Sequence, residues 1–111
     1  MSPVWLYLAQ RLTALILAPL VLAHLVLILI AVEGGLTAGE ILGRTRGSVG
    51  WALFYGLFVL AAAVHAPIGL RNVIQEHTRW RGRSLDAAML ALGLVLAGLG
   101  GRAVFAVVGT A

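Results

Sequence analysis

The sequence predicts an all-α membrane protein with three transmembrane helices, and three observations predict it. Of its 111 residues, 61% are hydrophobic and only 11% are charged. A soluble domain of this size cannot bury so much apolar surface, so lipid must solvate most of it. Three apolar segments approach the roughly 20 residues with which a helix crosses the hydrocarbon core. At these lengths only helices satisfy their own backbone hydrogen bonds in lipid. The chain reads as one domain over residues 1–111, without linkers, internal repeats or low-complexity runs.

The first span is expected over residues 12–32, interrupted only by Thr13, Pro19 and His24. Its apolar run continues past His24, longer than a signal-peptide core and with no polar mature start, so it reads as a true span. The second span is expected over 51–70 and the third over 85–108. Arginines set the orientation: Arg11 precedes the first span, and Arg71, Arg79, Arg81 and Arg83 follow the second. The loop EGGLTAGEILGRTRGSVG balances Glu33 and Glu40 against Arg44 and Arg46. The N-terminus and second loop are therefore expected in the cytoplasm, with the first loop and C-terminus outside. Trp5, Tyr7, Trp51 and Trp80 fall near span ends, where amphipathic rings settle.

Placed by topology in this way, the arginines do not form a nucleic-acid patch, although the formal net charge is +4. The absence of cysteine excludes thiolate metal sites and iron–sulfur ligation by this chain. Gly93, Ala97 and Gly101 recur at four-residue spacing on the third span, a stripe that lets another helix approach closely. Three short helices bury little against one another, so a partner is expected.

Ionisable side chains inside a span are costly and rare, which makes them functional candidates. His65 has small residues one turn away on either side, Ala61 and Gly69, so a flat slot is expected beside its ring. Pro67 lacks a backbone donor and should kink the helix there. Such a ring suits an axial bond to haem iron. It suits equally a hydrogen bond to a neighbouring helix. His24 is the second candidate. At ~1.5 Å rise per residue it lies roughly 20 Å beyond Arg11, whereas His65 lies roughly 9 Å from Arg71. The offset of about 10 Å is too large for both rings to share one iron. Two haems, or one haem with a structural His24, remain.

At the cytoplasmic face Arg11 and Thr13 open the first span, and Arg71, Glu76 and His77 follow the second. A quinone site needs an apolar slot, donors for two carbonyls and proton-relay groups. Arg11, Glu76 and His77 supply those types, and Tyr7, one turn from Arg11, adds a hydroxyl. The plainer reading of these charges is topology anchoring.

The run His65-Ala-Pro-Ile-Gly69-Leu-Arg71-Asn-Val-Ile-Gln-Glu76-His77 resembles the haem-ligand signature of the membrane-anchor subunits of succinate dehydrogenase and fumarate reductase. There a histidine is followed by glycine at four residues, often by arginine at six, and by an acidic residue at eleven. Gln10-Arg11-Leu12-Thr13-Ala14 is similar to the family's opening of its first helix. The resemblance implies haem b on His65, a second haem on His24 where two are present, and a quinone near Arg11, Glu76 and His77. Tyr7, Thr13, Gly69 and Arg71 would contact quinone or haem propionates. It implies a second anchor subunit, an iron–sulfur subunit and a flavoprotein, in a bacterial inner membrane. The chain itself would be a non-catalytic electron-transfer subunit. Tyr7 stands where some members carry serine, and Glu76-His77 where they carry an acidic residue and tyrosine. His24 has no counterpart in single-haem members, whereas two-haem members place histidines on their first two helices at different depths. The rival reading is a small transporter or proton-conducting subunit using His24 and His65 as relays.

Overall fold

A computed structural model describes residues 3–109. Among them the chain forms α1 (Pro3–Gly34), α2 (Ala38–Thr45), α3 (Val49–His77) and α4 (Arg83–Val108). The three long helices are each apolar and long enough to cross a membrane.

Two helices outrun the apolar segments that announce them. α1 begins at Pro3 rather than near residue 12, and α3 continues to His77 rather than ending near residue 70. Arg11 and Arg71 mark where the apolar surface ends, not where the backbone changes course. Pro3 suits a first turn, whose amide has no helical partner. α3 stops where Thr78 turns extended; its hydroxyl donates to the Ile74 carbonyl at 2.7 Å and accepts from the Trp80 amide at 3.1 Å. α1 stops at Gly35, whose φ of +122° only glycine adopts readily.

The short α2 lies in the first loop and caps a neighbour. Thr37 begins it by accepting from the Glu40 amide at 3.2 Å. Thr45, fully buried at its end, donates its hydroxyl to the Val107 carbonyl at 2.6 Å. The Gly47 amide donates to the Val108 carbonyl at 2.8 Å. The last two carbonyls of α4, which no helical amide can reach, are thereby satisfied. Arg44 lies over the Trp51 ring, 5.1 Å from its centroid.

α3 is the central helix, packed on α4 along much of its length and on α1 along the other side. The buried apolar residues among those described are Ala61, Ala63, Pro67 and Ile68 of α3 with Leu85 and Met89 of α4. Most large apolar side chains face outward, to be covered by lipid and by partner helices. Close backbone approach holds α3 to α4. Pro67 has no amide proton, which frees the Ala63 carbonyl one turn earlier. Gly93 sits against that carbonyl: a methyl on Gly93 would lie 3.1 Å from the Ala63 oxygen and 3.5 Å from Pro67 Cγ. Gly100 repeats the contact higher up, where Val59 fills the space a side chain would need.

The packing stripe of α4 therefore runs through Gly93 and Gly100. Gly101, which four-residue spacing selects, faces open space. A seven-residue step returns more nearly to one helix face than an eight-residue step does. Gly93→Val should accordingly destabilise the protein by about 1–3 kcal/mol through overpacking. Gly101→Ala should cost nothing. Thermal unfolding of the two purified variants in detergent checks the contrast.

Candidate functional site

The interface of α1 and α3 is polar at one level. Thr13 is the one buried residue of α1, 9% exposed. Its hydroxyl oxygen lies 2.7 Å from the Ala9 carbonyl, 3.1 Å from the Gln10 carbonyl and 3.1 Å from His65 Nδ1. One turn along the same contact, the Gln10 carboxamide covers Gly69: its Nε2 would be 3.2 Å from a methyl placed there. Gln10 Oε1 is buried without a hydrogen-bond partner among the described residues. Gln10 and Thr13 of α1 thus meet Gly69 and His65 of α3. The slot expected beside His65 is partly taken, because Gln10 occupies the Gly69 face and Ala61 is buried. With Nδ1 turned to α1, the other nitrogen of His65 lies on the opposite edge of the half-buried ring.

These contacts fix the register of the two helices. Thr13 is level with His65, Gln10 with Gly69, and His24 with Tyr55 and Phe58. At ~1.5 Å per residue His24 and His65 are then about 15 Å apart in depth, further than the sequence estimate. One planar macrocycle cannot take both as axial ligands within this chain.

The same register separates the cluster expected at the arginine-rich end. Arg11 is level with the residues just after Pro67, whereas Glu76 lies about 12 Å further along the axis. Glu76 and His77 are exposed on the last turn of α3. Arg11 is exposed, its guanidinium 5.6 Å from the centre of the Tyr7 ring. Arg71 turns the other way: its Nε donates to Asp86 Oδ1 at 2.8 Å, and Nη1 reaches Gln75 Oε1 at 3.4 Å. The structure therefore brings Thr13, Gly69 and His65 together and pairs Arg11 with Tyr7. Arg71 is committed to α4, and Glu76 and His77 stand apart.

Two residues of this region were not among the sequence candidates. Asp86 offered a weak signal, being a lone acid in the first turn of α4, where a carboxylate also suits the helix dipole. Gln10 offered none beyond its place beside Arg11.

Two apolar cavities flank α3. One, of about 320 Å³, lies toward α4 and is lined by Leu6, Ala63, Pro67, Met89 and Gly93, with Arg71 at its polar end. The other, of about 340 Å³, lies at the far end of the helices and is lined by His24, Tyr55, Phe58, Val59, Gly100 and Val104. The His24 ring meets Phe58 and Tyr55 edge-on, with centroids 5.3 Å and 6.4 Å away. No three His, Cys, Asp or Glu side chains converge to hold a metal ion among the described residues.

A family model described as succinate dehydrogenase/fumarate reductase transmembrane subunit matches residues 1–100, which include every candidate above. No curated protein and no solved structure matches.

The Arg71–Asp86 pair ties the end of α3 to the start of α4 with side chains 17% and 23% exposed. Arg71→Ala and Asp86→Ala should each lower the unfolding temperature. The double variant should lose less than the two separate losses added together, which a double-mutant cycle in detergent measures.

Proposed function

The chain belongs to the succinate dehydrogenase/fumarate reductase transmembrane subunit family, and we propose that it is an electron-carrying anchor of such a complex. In this reading it holds the iron–sulfur and flavoprotein subunits to a bacterial plasma membrane, together with a second anchor. Its arginine-rich end faces the cytoplasm, as the positive charge there favours. Oxidation or reduction of the dicarboxylate belongs to the flavoprotein. This chain contributes to electron transfer between the iron–sulfur subunit and quinone.

The observation that supports this most is the setting of His65. A buried hydroxyl engages one nitrogen of an imidazole that lies within a membrane-crossing helix. Such a group is expensive to retain in lipid unless it has a use. Gly69, one turn away, leaves room for a polar carboxamide whose Oε1 has no partner. These residues fit haem b, which His65 would hold from this chain, with the partner anchor supplying what else it needs. Bound there, haem would supply a one-electron store within the membrane.

The chain's own residues would do the rest. His65 supplies the bond and Thr13 holds its ring. Arg11 and Tyr7, level with the turns just beyond His65 and exposed on α1, bind the quinone headgroup by donating to its carbonyl oxygens. Arg71 is less suited to that role, since Asp86 already accepts from it. Glu76 and His77, at the headgroup level, exchange protons with cytoplasmic water.

His24 supports a second site in the same scheme. It lies about 15 Å deeper than His65, beside an apolar cavity of about 340 Å³. No hydrogen bond reaches its ring among the described residues. A second haem completed by the partner anchor fits that setting.

A reduced-minus-oxidised spectrum of the purified complex tests the reading. A sharp b-type band should appear and should fall in His65→Ala, to about half its height with a second haem on His24 and to nothing without one. A complex with no b-type band would refute haem binding. In the same spectrum His24→Ala should halve the band. A band of unchanged height removes the second haem and leaves the first standing. Quinone binding is read separately: Arg11→Ala should lower succinate–quinone activity by about tenfold, the worth of one hydrogen bond from a charged donor. Intact activity would move the quinone elsewhere.

A further inference from the structure

We infer that Thr13 is a positioning residue for His65: its hydroxyl oxygen accepts the proton on Nδ1, which leaves the lone pair of Nε2 free for a metal on the far edge of the ring. The inference rests on His65 being an axial ligand, and it adds the device that prepares it.

A threonine hydroxyl has one proton to give and two lone pairs with which to accept. Three groups surround Thr13 Oγ1, and two of them, the Ala9 and Gln10 carbonyls, can only accept. The Ala9 contact is the shortest, at 2.7 Å, the ordinary length of an O–H···O bond. The His65 contact, at 3.1 Å, falls in the range of N–H···O bonds. Threonine within a helix characteristically donates back to the carbonyl four residues earlier. The proton of Thr13 therefore goes to Ala9, and the bond between the helices is donated by the imidazole. The reverse wiring would put the ring proton on Nε2 and block a metal bond from that nitrogen.

The placement also makes the acceptor rigid. Thr13 is buried and β-branched, and its back-bond holds its rotamer. The ring is thus fixed in tautomer and in rotation by a group on the neighbouring helix. Donation from the remote nitrogen makes an imidazole ligand more basic. A more basic ligand favours the oxidised iron and lowers the midpoint potential.

The test uses the assembled complex with Thr13→Val, which keeps the shape and removes the oxygen, and Thr13→Ser, which restores it. Haem affinity is read from transfer to a haem scavenger, and the midpoint potential from a redox titration of the b-type band. Thr13→Val should weaken haem binding by roughly 10- to 100-fold and shift the potential upward. Thr13→Ser should match the unmodified protein in both. Thr13→Ala should repeat the valine result, and it serves should the valine variant fail to assemble. Unchanged affinity and potential in Thr13→Val, with a band that still requires His65, would overturn the inference and spare the haem reading. Equal losses in valine and serine variants would overturn it too. A band of unchanged height in His65→Ala would overturn the haem reading itself.

Discussion

The contact between Thr13 and His65 sets the depth of everything else on the first two long helices. α1 and α3 present almost uniformly apolar surfaces to each other, and such surfaces can slide with little change in energy. A hydrogen bond between a buried hydroxyl and an imidazole cannot slide. In lipid, unpairing the two groups would leave both without water to replace the lost partner. The register that follows puts Gln10 over Gly69 and His24 against Tyr55 and Phe58, so three separate contacts agree on one alignment. From that alignment come the separation of the two histidines and the distance of Glu76 from Arg11.

A different constraint joins α3 to α4. Pro67 removes one amide from the ladder of α3, and Gly93 packs against the carbonyl so released. Weak Cα–H···O contacts recur where helices come this close, but proximity itself is the main gain. Lipid tails are as apolar as leucine, so helices in a membrane associate through dense packing rather than by escaping solvent. Arg71 and Asp86 close the same pair of helices at the arginine-rich end, and Thr45 with Gly47 closes α4 at the other. α1 has no comparable clamp along most of its length. Thr13 is the one residue it buries. α1 is accordingly the helix whose surroundings depend most on what lies outside this chain.

The sequence made the architecture legible because hydropathy along the chain responds directly to the thickness of the bilayer. Three spans, the arginine-rich end and the two histidines within spans all follow from it. Helix ends were less legible, since charge stops the apolar segment at Arg11 and Arg71 while the backbone continues to Pro3 and His77. Which face of each helix turns inward was less legible still. In a soluble helix polar residues mark the outside; here both sides are apolar, and periodicity loses its meaning. That is why four-residue spacing selected Gly101, when the glycine that packs on α3 is Gly100. It is also why Arg71 could be grouped with Glu76 and His77, when its guanidinium in fact reaches across to α4. Four-residue spacing puts His65 and Gly69 on one helix face, but spacing on α3 alone could not reveal that α1 covers Gly69 with Gln10.

Once faces are assigned, the polar groups inside the helices sort into paired and unpaired. Thr13 with His65, Arg71 with Asp86, and Thr45 with the Val107 carbonyl satisfy one another within the chain. Gln10 Oε1 does not find a partner, and no hydrogen bond reaches His24 among the described residues. Both belong to α1, and they share a face: fourteen residues separate them, close to four full turns. Thr13 lies on the same face, and Leu17, Leu20 and Leu27, which continue it, are less exposed than the leucines on the opposite side. The face that meets α3 thus holds one satisfied polar group and two that are not. An unsatisfied polar group in lipid is tolerated where something from outside the chain completes it. Under the proposed function, the edges of the α1–α3 seam, at the levels of Gln10 and of His24, are therefore where a cofactor or a second anchor subunit would gain most by binding.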